Sequence, residues 1–147
     1  YGMTGWRLGW AHGPAAIVQE MTKLQQYTFV CGPTPLQWGA LAALDVDMSA
    51  HVTAYKAKRD RLLDGLRGHF EIAVPEGAFY AFPKAPFGNG DRFVDAALAR
   101  ELLVIPGSVF SGRDSHFRIS YAAKEEVIDR GTAILRCPQR AGNDQMI

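Results

Sequence analysis

Tyr1-Gly2-Met3-Thr4-Gly5-Trp6-Arg7-Leu8-Gly9-Trp10 opens the chain with one charged residue set among three glycines and two tryptophans. An arginine between Trp6 and Leu8, in an otherwise neutral and apolar run, is costly to bury unless an anion neutralises it. Its planar guanidinium fork suits a phosphate or a carboxylate held by two parallel hydrogen bonds. A structural ion pair is the alternative use. The run Trp6-Arg7-Leu8-Gly9-Trp10-Ala11 has the length and apolarity of a short buried strand, although periodicity alone does not settle so short a segment.

A second arginine raises the same question near the other end. Phe117-Arg118-Ile119-Ser120-Tyr121 alternates as a strand should, and Arg118 stands between Phe117 and Ile119. An anion site competes there with an ion pair or an outward-facing strand residue.

Between the two arginines the chain divides into recognisable elements. Gly13-Pro14 opens a helix, with Pro14 at the first helical position, where its missing N–H costs nothing. Ile17, Val18, Met21 and Leu24 give that helix one apolar face. Cys31-Gly32-Pro33-Thr34-Pro35 breaks it, and the Ala-rich residues 36–45 read as a second helix. Ser49 is the expected N-cap of a third, with Val52, Tyr55, Leu62, Leu63 and Leu66 on one face and a stop at Gly68. Phe70-Glu71-Ile72-Ala73-Val74 and Ala78 to Phe82 read as strands joined through the turn Pro75-Glu76-Gly77, so antiparallel pairing of 70–74 with 78–82 is expected. Asp91 is the expected cap of a short helix over 92–101. Leu103-Val104-Ile105 reads as a short strand, turned by Pro106-Gly107-Ser108. A last helix over 124–136 turns Val127, Ile128, Gly131, Ile134 and Leu135 inward, with Glu125 and Glu126 at its positive end. The tail after Pro138 is expected to fray. Strands and helices in this order predict a mixed α/β layer packing.

Composition bounds the function. The chain has 147 residues, 48% hydrophobic and 21% charged, which is the make-up of a packed globular protein. That length fits one domain on the usual prior of about 150 residues per domain. A formal charge of +1 gives no electrostatic reason to expect nucleic acid or an anionic membrane as partner. No apolar run approaches the roughly 18 residues that span a bilayer, and the first residues lack the apolar core of a signal peptide. Cys31 and Cys137 make neither a CxxC spacing nor a disulfide framework, so zinc is not expected and a reducing cytoplasm is the default. Cys31 reads as a small buried hydrophobe rather than a nucleophile, because no base lies near it in sequence. His12, His51, His69 and His116 are scattered, without ligand spacing. GxGxxG after a strand, the Walker loop, HExxH and GxSxG are all absent.

The joint pattern is more specific than any of its parts. Tyr1-Gly2-Met3-Thr4-Gly5-Trp6-Arg7 resembles the stretch that follows the cofactor lysine in class I/II aminotransferases, fold-type-I enzymes that use pyridoxal phosphate. Pro75-Glu76-Gly77-Ala78-Phe79-Tyr80-Ala81-Phe82-Pro83 resembles that family's Gly-x-Phe-Tyr strand. Val104-Ile105-Pro106-Gly107-Ser108-Val109-Phe110-Ser111-Gly112 resembles its Pro-Gly turn, and Phe117-Arg118-Ile119-Ser120-Tyr121-Ala122 its terminal arginine strand. The resemblance runs to about Leu135.

By that resemblance Arg7 is cofactor-binding and holds the phosphate of pyridoxal 5'-phosphate. Arg118 holds the α-carboxylate of the substrate, Phe79 and Tyr80 line the substrate side, Gly77 lets the backbone approach, and Trp6 packs. The partners implied are an amino acid and a 2-oxoacid, with a homodimer in the full-length protein. The Schiff-base lysine falls two positions before Tyr1, and Lys23, Lys56, Lys58, Lys84 and Lys124 stand in no matching context. The isolated chain is therefore expected to be inactive. The implied organisation is residues 1–12 as the end of the large cofactor-binding domain, carrying its last strand. Residues 13–35 follow as an interdomain helix and linker, and 36–147 as the small C-terminal domain, with helices packed on a small mixed or antiparallel sheet. A lyase or synthase of the same fold, and a non-catalytic binding or regulatory module, remain open alternatives.

Overall fold

The computed structural model describes residues 1–136. Cys137 and the expected fraying after Pro138 lie outside the described residues. The chain forms two compact units, Tyr1–Ser49 and the residues from Ala50 onward. This division falls inside the segment 36–147.

In the first unit the expected strand at residues 6–11 does not form. Thr4–Trp6 makes a single 3-10 turn, closed by Arg7 in the left-handed conformation at φ 50° and ψ 36°. Gly5 and Gly9 weaken an extended conformation here, because glycine gives up the most backbone freedom and brings no side chain to a sheet. Two helices follow, α1 (Ala15–Gln26) and α2 (Thr34–Ala43). Pro14 lies just outside α1 at ψ 136° rather than in its first turn, and its carbonyl accepts the amides of Ile17 and Val18. Pro35 sits within the first turn of α2, where no amide donor is needed. Trp6 is a packing residue, as expected: its ring lies over Gly39, and a Cβ there would collide with it. No side chain of residues 1–49 is fully buried. Ile17, Met21 and Leu24, the apolar face of α1, stay largely exposed. Cys31 is exposed as well, against the expectation of a buried hydrophobe, because the Pro/Gly-rich break carries it on the surface.

The second unit has a core. Helix α3 (Ser49–Leu66) runs into it and buries Leu62 and Leu66. Val52 and Tyr55, expected on the same face, remain exposed. Ser49 is the first helical residue rather than the cap. Its amide donates to the Asp47 carboxylate at 2.9 Å, and the Ser49 side chain, with that amide second, holds the carboxyl of Asp47 below its ordinary range.

Three short strands, β1 (Tyr80–Ala81), β2 (Ile105–Pro106) and β3 (Phe117–Ser120), form an antiparallel sheet in the order β1-β3-β2. Tyr80 faces Ser120 and Ala81 faces Ile119 on one side, while Ile105 faces Arg118 and Pro106 faces Phe117 on the other. The expected hairpin of 70–74 with 78–82 is absent. Residues 70–74 form no ladder; the Lys84 amide donates to the Glu71 carbonyl and the Lys84 Nζ to the Glu71 carboxylate, both at 3.0 Å. Phe117 and Ile119 bring two buried side chains to β1's partner strand, whereas Phe70 and Ile72 pack partly buried against the core from outside the sheet and Glu71, Ala73 and Val74 are exposed.

Phe70, Phe93 and Phe117 make the centre of the core, with ring centroids 4.4 to 5.8 Å apart in edge-on and tilted contacts. Phe93 and Ala97 come from α4 (Gly90–Leu98), and Ile128, Thr132 and Leu135 from α5 (Glu125–Arg136). Val127, expected to face inward on α5, is exposed. The cap of α4 is Asn89, whose side chain accepts the Arg92 amide at 2.9 Å. Asp91, the expected cap, lies inside the helix and accepts a hydrogen bond from Ser108 Oγ instead.

Two glycines bracket the segment that leads into β3. The Gly90 amide donates to the Asp114 carbonyl at 2.6 Å and the Gly107 amide to the His116 carbonyl at 2.7 Å. A Cβ at either glycine would run into these backbone oxygens. Arg61 fastens α3 to α5, with Nε and Nη2 on the two carboxylate oxygens of Asp129 and Nη1 on Glu125 at 2.9 Å. Among the described residues, no helix is long and apolar enough to cross a membrane, and no cluster of ligands could hold a metal ion.

Candidate functional site

Strand β3 alternates strictly. Phe117 and Ile119 are buried, while Arg118 is half-buried and Ser120 exposed on the opposite face. Cross-strand pairing carries Tyr80 and Ile105 to that opposite face with Arg118. Arg118 therefore stands on the middle strand, flanked by side chains from both edges.

Two aromatic rings hold the guanidinium. Its carbon lies 4.2 Å from the ring centre of Tyr80 and 3.7 Å from that of Phe110. Both contacts are favourable cation–π geometry. Among the described residues Arg118 has no carboxylate partner and donates no hydrogen bond. Its in-plane N–H donors are uncommitted, as bidentate binding of a planar carboxylate requires. Among the described residues no ion pair takes up this arginine.

Phe79 packs on Tyr80 at 4.5 Å between centroids and on Tyr55 at 6.1 Å. Phe79, Tyr80 and Arg118 are thus brought together through the Tyr80 ring. Phe110 joins them without having been singled out. It closes the 3-10 turn Gly107–Val109, its amide donating to the Gly107 carbonyl at 2.9 Å. Only the pairing of Ile105 with Arg118 brings it near, and that long-range register has no local signal in sequence.

Gly77 lies in the bend before Tyr80, and a Cβ there would have no protein neighbour within 4 Å. The left-handed residue is Ala78, at φ 58°. Tyr121, 2% exposed, holds this bend: its hydroxyl donates to the Ala78 carbonyl at 3.0 Å, and its amide donates to the Phe79 carbonyl at 3.0 Å. Burial pushes the Tyr121 hydroxyl above its ordinary pKa, opposed in part by the positive charge of Arg59.

Arg7 belongs to the first unit. It is exposed, and one guanidinium nitrogen reaches the Thr4 carbonyl at 3.4 Å, a contact at the weak limit of a hydrogen bond. Arg7 lines an open cleft of about 1170 Å³ together with Leu8, Gly9, Trp10, Gly32 and Gln37, among others. An exposed guanidinium beside glycine backbone, with its donors almost unspent, fits a phosphate dianion.

His116 is a structural histidine, stacked on Phe82 at 5.3 Å and hydrogen-bonded through Nδ1 to Ser115 Oγ. His12, His51 and His69 are exposed.

Known proteins resemble the chain over nearly its whole length. The family described as aminotransferase class I and II matches residues 1–135. A "Probable aspartate aminotransferase" of Methanocaldococcus jannaschii is 33% identical over 92% of the chain and 39% of its own length. An aspartate/prephenate aminotransferase of Thermus thermophilus is 36% identical over 86% of the chain and 35% of its own length. The crystal structure of an aspartate aminotransferase from Thermotoga maritima superposes with a TM-score of 0.80 at 29% identity, covering 91% of the chain and 36% of that protein. The chain thus spans less than two fifths of the length of these relatives.

Proposed function

The chain belongs to the class I and II aminotransferase family, and from that premise we propose that the full-length protein moves an amino group from an α-amino acid to a 2-oxoacid. In this reading Arg118 holds the substrate α-carboxylate and Arg7 the phosphate of pyridoxal phosphate. The observation that carries it is the Arg118 guanidinium, fixed on its faces by Tyr80 and Phe110 and unspent at its donors. Such a group binds a carboxylate without first breaking an internal ion pair, and without the entropy loss of ordering a free side chain.

When bound, pyridoxal phosphate supplies the electron-withdrawing ring that makes an amino acid's α-proton acidic. This chain's own residues bind and orient. Arg118 fixes one end of the substrate, so that the α-carbon's bonds are presented in a constant direction. Tyr80 and Phe110 keep water from the faces of the guanidinium and strengthen its attraction for the carboxylate. Phe79 and Tyr55 back Tyr80 and shape the side on which the substrate lies. No lysine of the chain is assigned to proton transfer.

The domain reading follows the same premise. We assign the second unit, with its antiparallel sheet and α3 to α5, to the family's small C-terminal domain. Residues 1–12 then end the large domain. Trp10, Tyr27 and Trp38 are more than two-thirds exposed, an apolar surface that the remainder of a homodimeric protein would cover. Aspartate is the first donor to test, given the names of the relatives. The full-length protein loaded with pyridoxal phosphate is expected to transfer the amino group of aspartate to a 2-oxoacid. Failure with every α-amino acid tried would overturn the reading.

A further inference from the structure

We propose that Tyr121 is a positioning residue for the carboxylate site: it clamps the Ala78 bend and thereby aims Tyr80 at Arg118. The proposal rests on the reading of Arg118 as the carboxylate holder. Tyr121 follows β3 directly, so one side chain is tied both to the strand that carries Arg118 and to the segment that carries Tyr80.

The bend it holds is costly on its own. Ala78 sits at φ 58°, where an L-residue's Cβ crowds the following carbonyl. Neither Gly77 nor a local side chain compensates. Two hydrogen bonds from Tyr121 fall on successive carbonyls, the hydroxyl on Ala78 and the amide on Phe79, both at 3.0 Å. The amide bond continues the β1–β3 ladder and any residue would make it. The hydroxyl bond is specific to tyrosine. It lies in a site where the side chain is 2% exposed, so water does not readily replace it.

Tyr80 is the second residue after Ala78, and its ring lies 4.2 Å from the Arg118 guanidinium. Relaxation of Ala78 toward a right-handed conformation would turn the following residues relative to β3 and withdraw that ring. The aromatic shelf under Arg118 would be lost on one side, while the core residues Phe117 and Ile119 would stay in place.

The test is a double-substitution cycle in the full-length protein, reading KM for the amino-acid donor, kcat and the thermal midpoint. Tyr121→Phe removes the hydroxyl alone and is expected to raise KM about five-fold, the worth of one buried hydrogen bond, with kcat changed less than about two-fold. Ala78→Gly removes the penalty of the left-handed conformation. Combined with Tyr121→Phe, it is expected to bring KM back to within about two-fold of the parent. An unchanged KM in Tyr121→Phe, even with a lowered thermal midpoint, would overturn the proposal, and so would a raised KM that Ala78→Gly does not correct. The underlying reading fails separately. If Arg118→Ala leaves KM unchanged, Arg118 is not the carboxylate holder. Amide hydrogen exchange at residues 79–81, expected to speed up in Tyr121→Phe and to slow again in the double variant, then still reads the clamp.

Discussion

Arg118 and Phe110 are joined by a contact of 3.7 Å between guanidinium carbon and ring centre, although neither neighbours the other in sequence or in the sheet ladder. Replacing Phe110 by Leu keeps the apolar volume and removes the ring's negative face. About 1 kcal/mol of cation–π attraction should be lost. KM for the amino-acid donor should then rise roughly five-fold with little change in kcat. Steady-state kinetics of the full-length protein, run beside Phe110→Tyr as a control that keeps the ring, would check this.

Arg118→Ala should act far more strongly. Losing a bidentate, charge-assisted pair costs on the order of 2–3 kcal/mol, or about 30- to 150-fold in substrate affinity. Arg118→Lys should recover only part of it, because an ammonium lacks the planar fork. An affinity equal to the parent's in Arg118→Ala would remove the assignment.

Arg7→Gln should loosen the cofactor rather than the substrate. The expected outcome is loss of bound pyridoxal phosphate on dialysis, followed by its visible absorbance, and its recovery at high added cofactor. A variant that retains cofactor as the parent does would place the phosphate elsewhere.

Gly90→Ala should destabilise the fold without touching the site directly. Its Cβ would meet the carbonyls of His116 and Asp114, which are backbone atoms and cannot turn aside. Overpacking of this kind costs about 1–3 kcal/mol, readable as a lower urea midpoint. Gly88→Ala is a poor control, since Gly88 lies at φ 71°. Gly112→Ala, at a position with open space around it, serves better.

The clip between α3 and α5 should make stability fall in acid. The hydrogen bonds from Arg61 hold the Asp129 carboxyl below its ordinary value, and Asp129 raises Arg61 in turn. A depressed carboxylate pKa adds stability above the unfolded value of about 4, and that stability is lost as pH drops through the folded value. Asp129→Asn should flatten the acid limb of a plot of thermal midpoint against pH. Both partners are about half-exposed, so salt should weaken the effect.

Much of this was legible in sequence, and what was not has a common cause. Arg7 and Arg118 stand out locally, because a guanidinium in an apolar run demands an explanation. Phe79 and Tyr80 follow by pattern. Phe110 and the Tyr121 clamp depend on which strand pairs with which, a choice made between residues 13 positions apart in one ladder and 40 in the other, as Ile105 with Arg118 and Tyr80 with Ser120. The same choice misplaced the hairpin. Residues 70–74 and 78–82 have the spacing of one, yet β1 pairs with the strand of the buried Phe117 and Ile119, while Phe70 and Ile72 pack partly buried on the core from outside the sheet. Cys31 and the first strand failed for local reasons, the Pro/Gly-rich break around Cys31 and the glycines Gly5 and Gly9.

Both edge strands are only two residues long, yet the pairing of β1 with β3 keeps one register from the Tyr121 amide on the Phe79 carbonyl to the Lys84–His116 bridge. A slide by one position would invert which side chains point to which face. Tyr80 or the chain leading to Phe110 would then leave the guanidinium at once. Carboxylate affinity is therefore a sensitive gauge of correct strand alignment, able to distinguish a well-aligned preparation from a compact but misaligned one that spectra of helix content would score as equal.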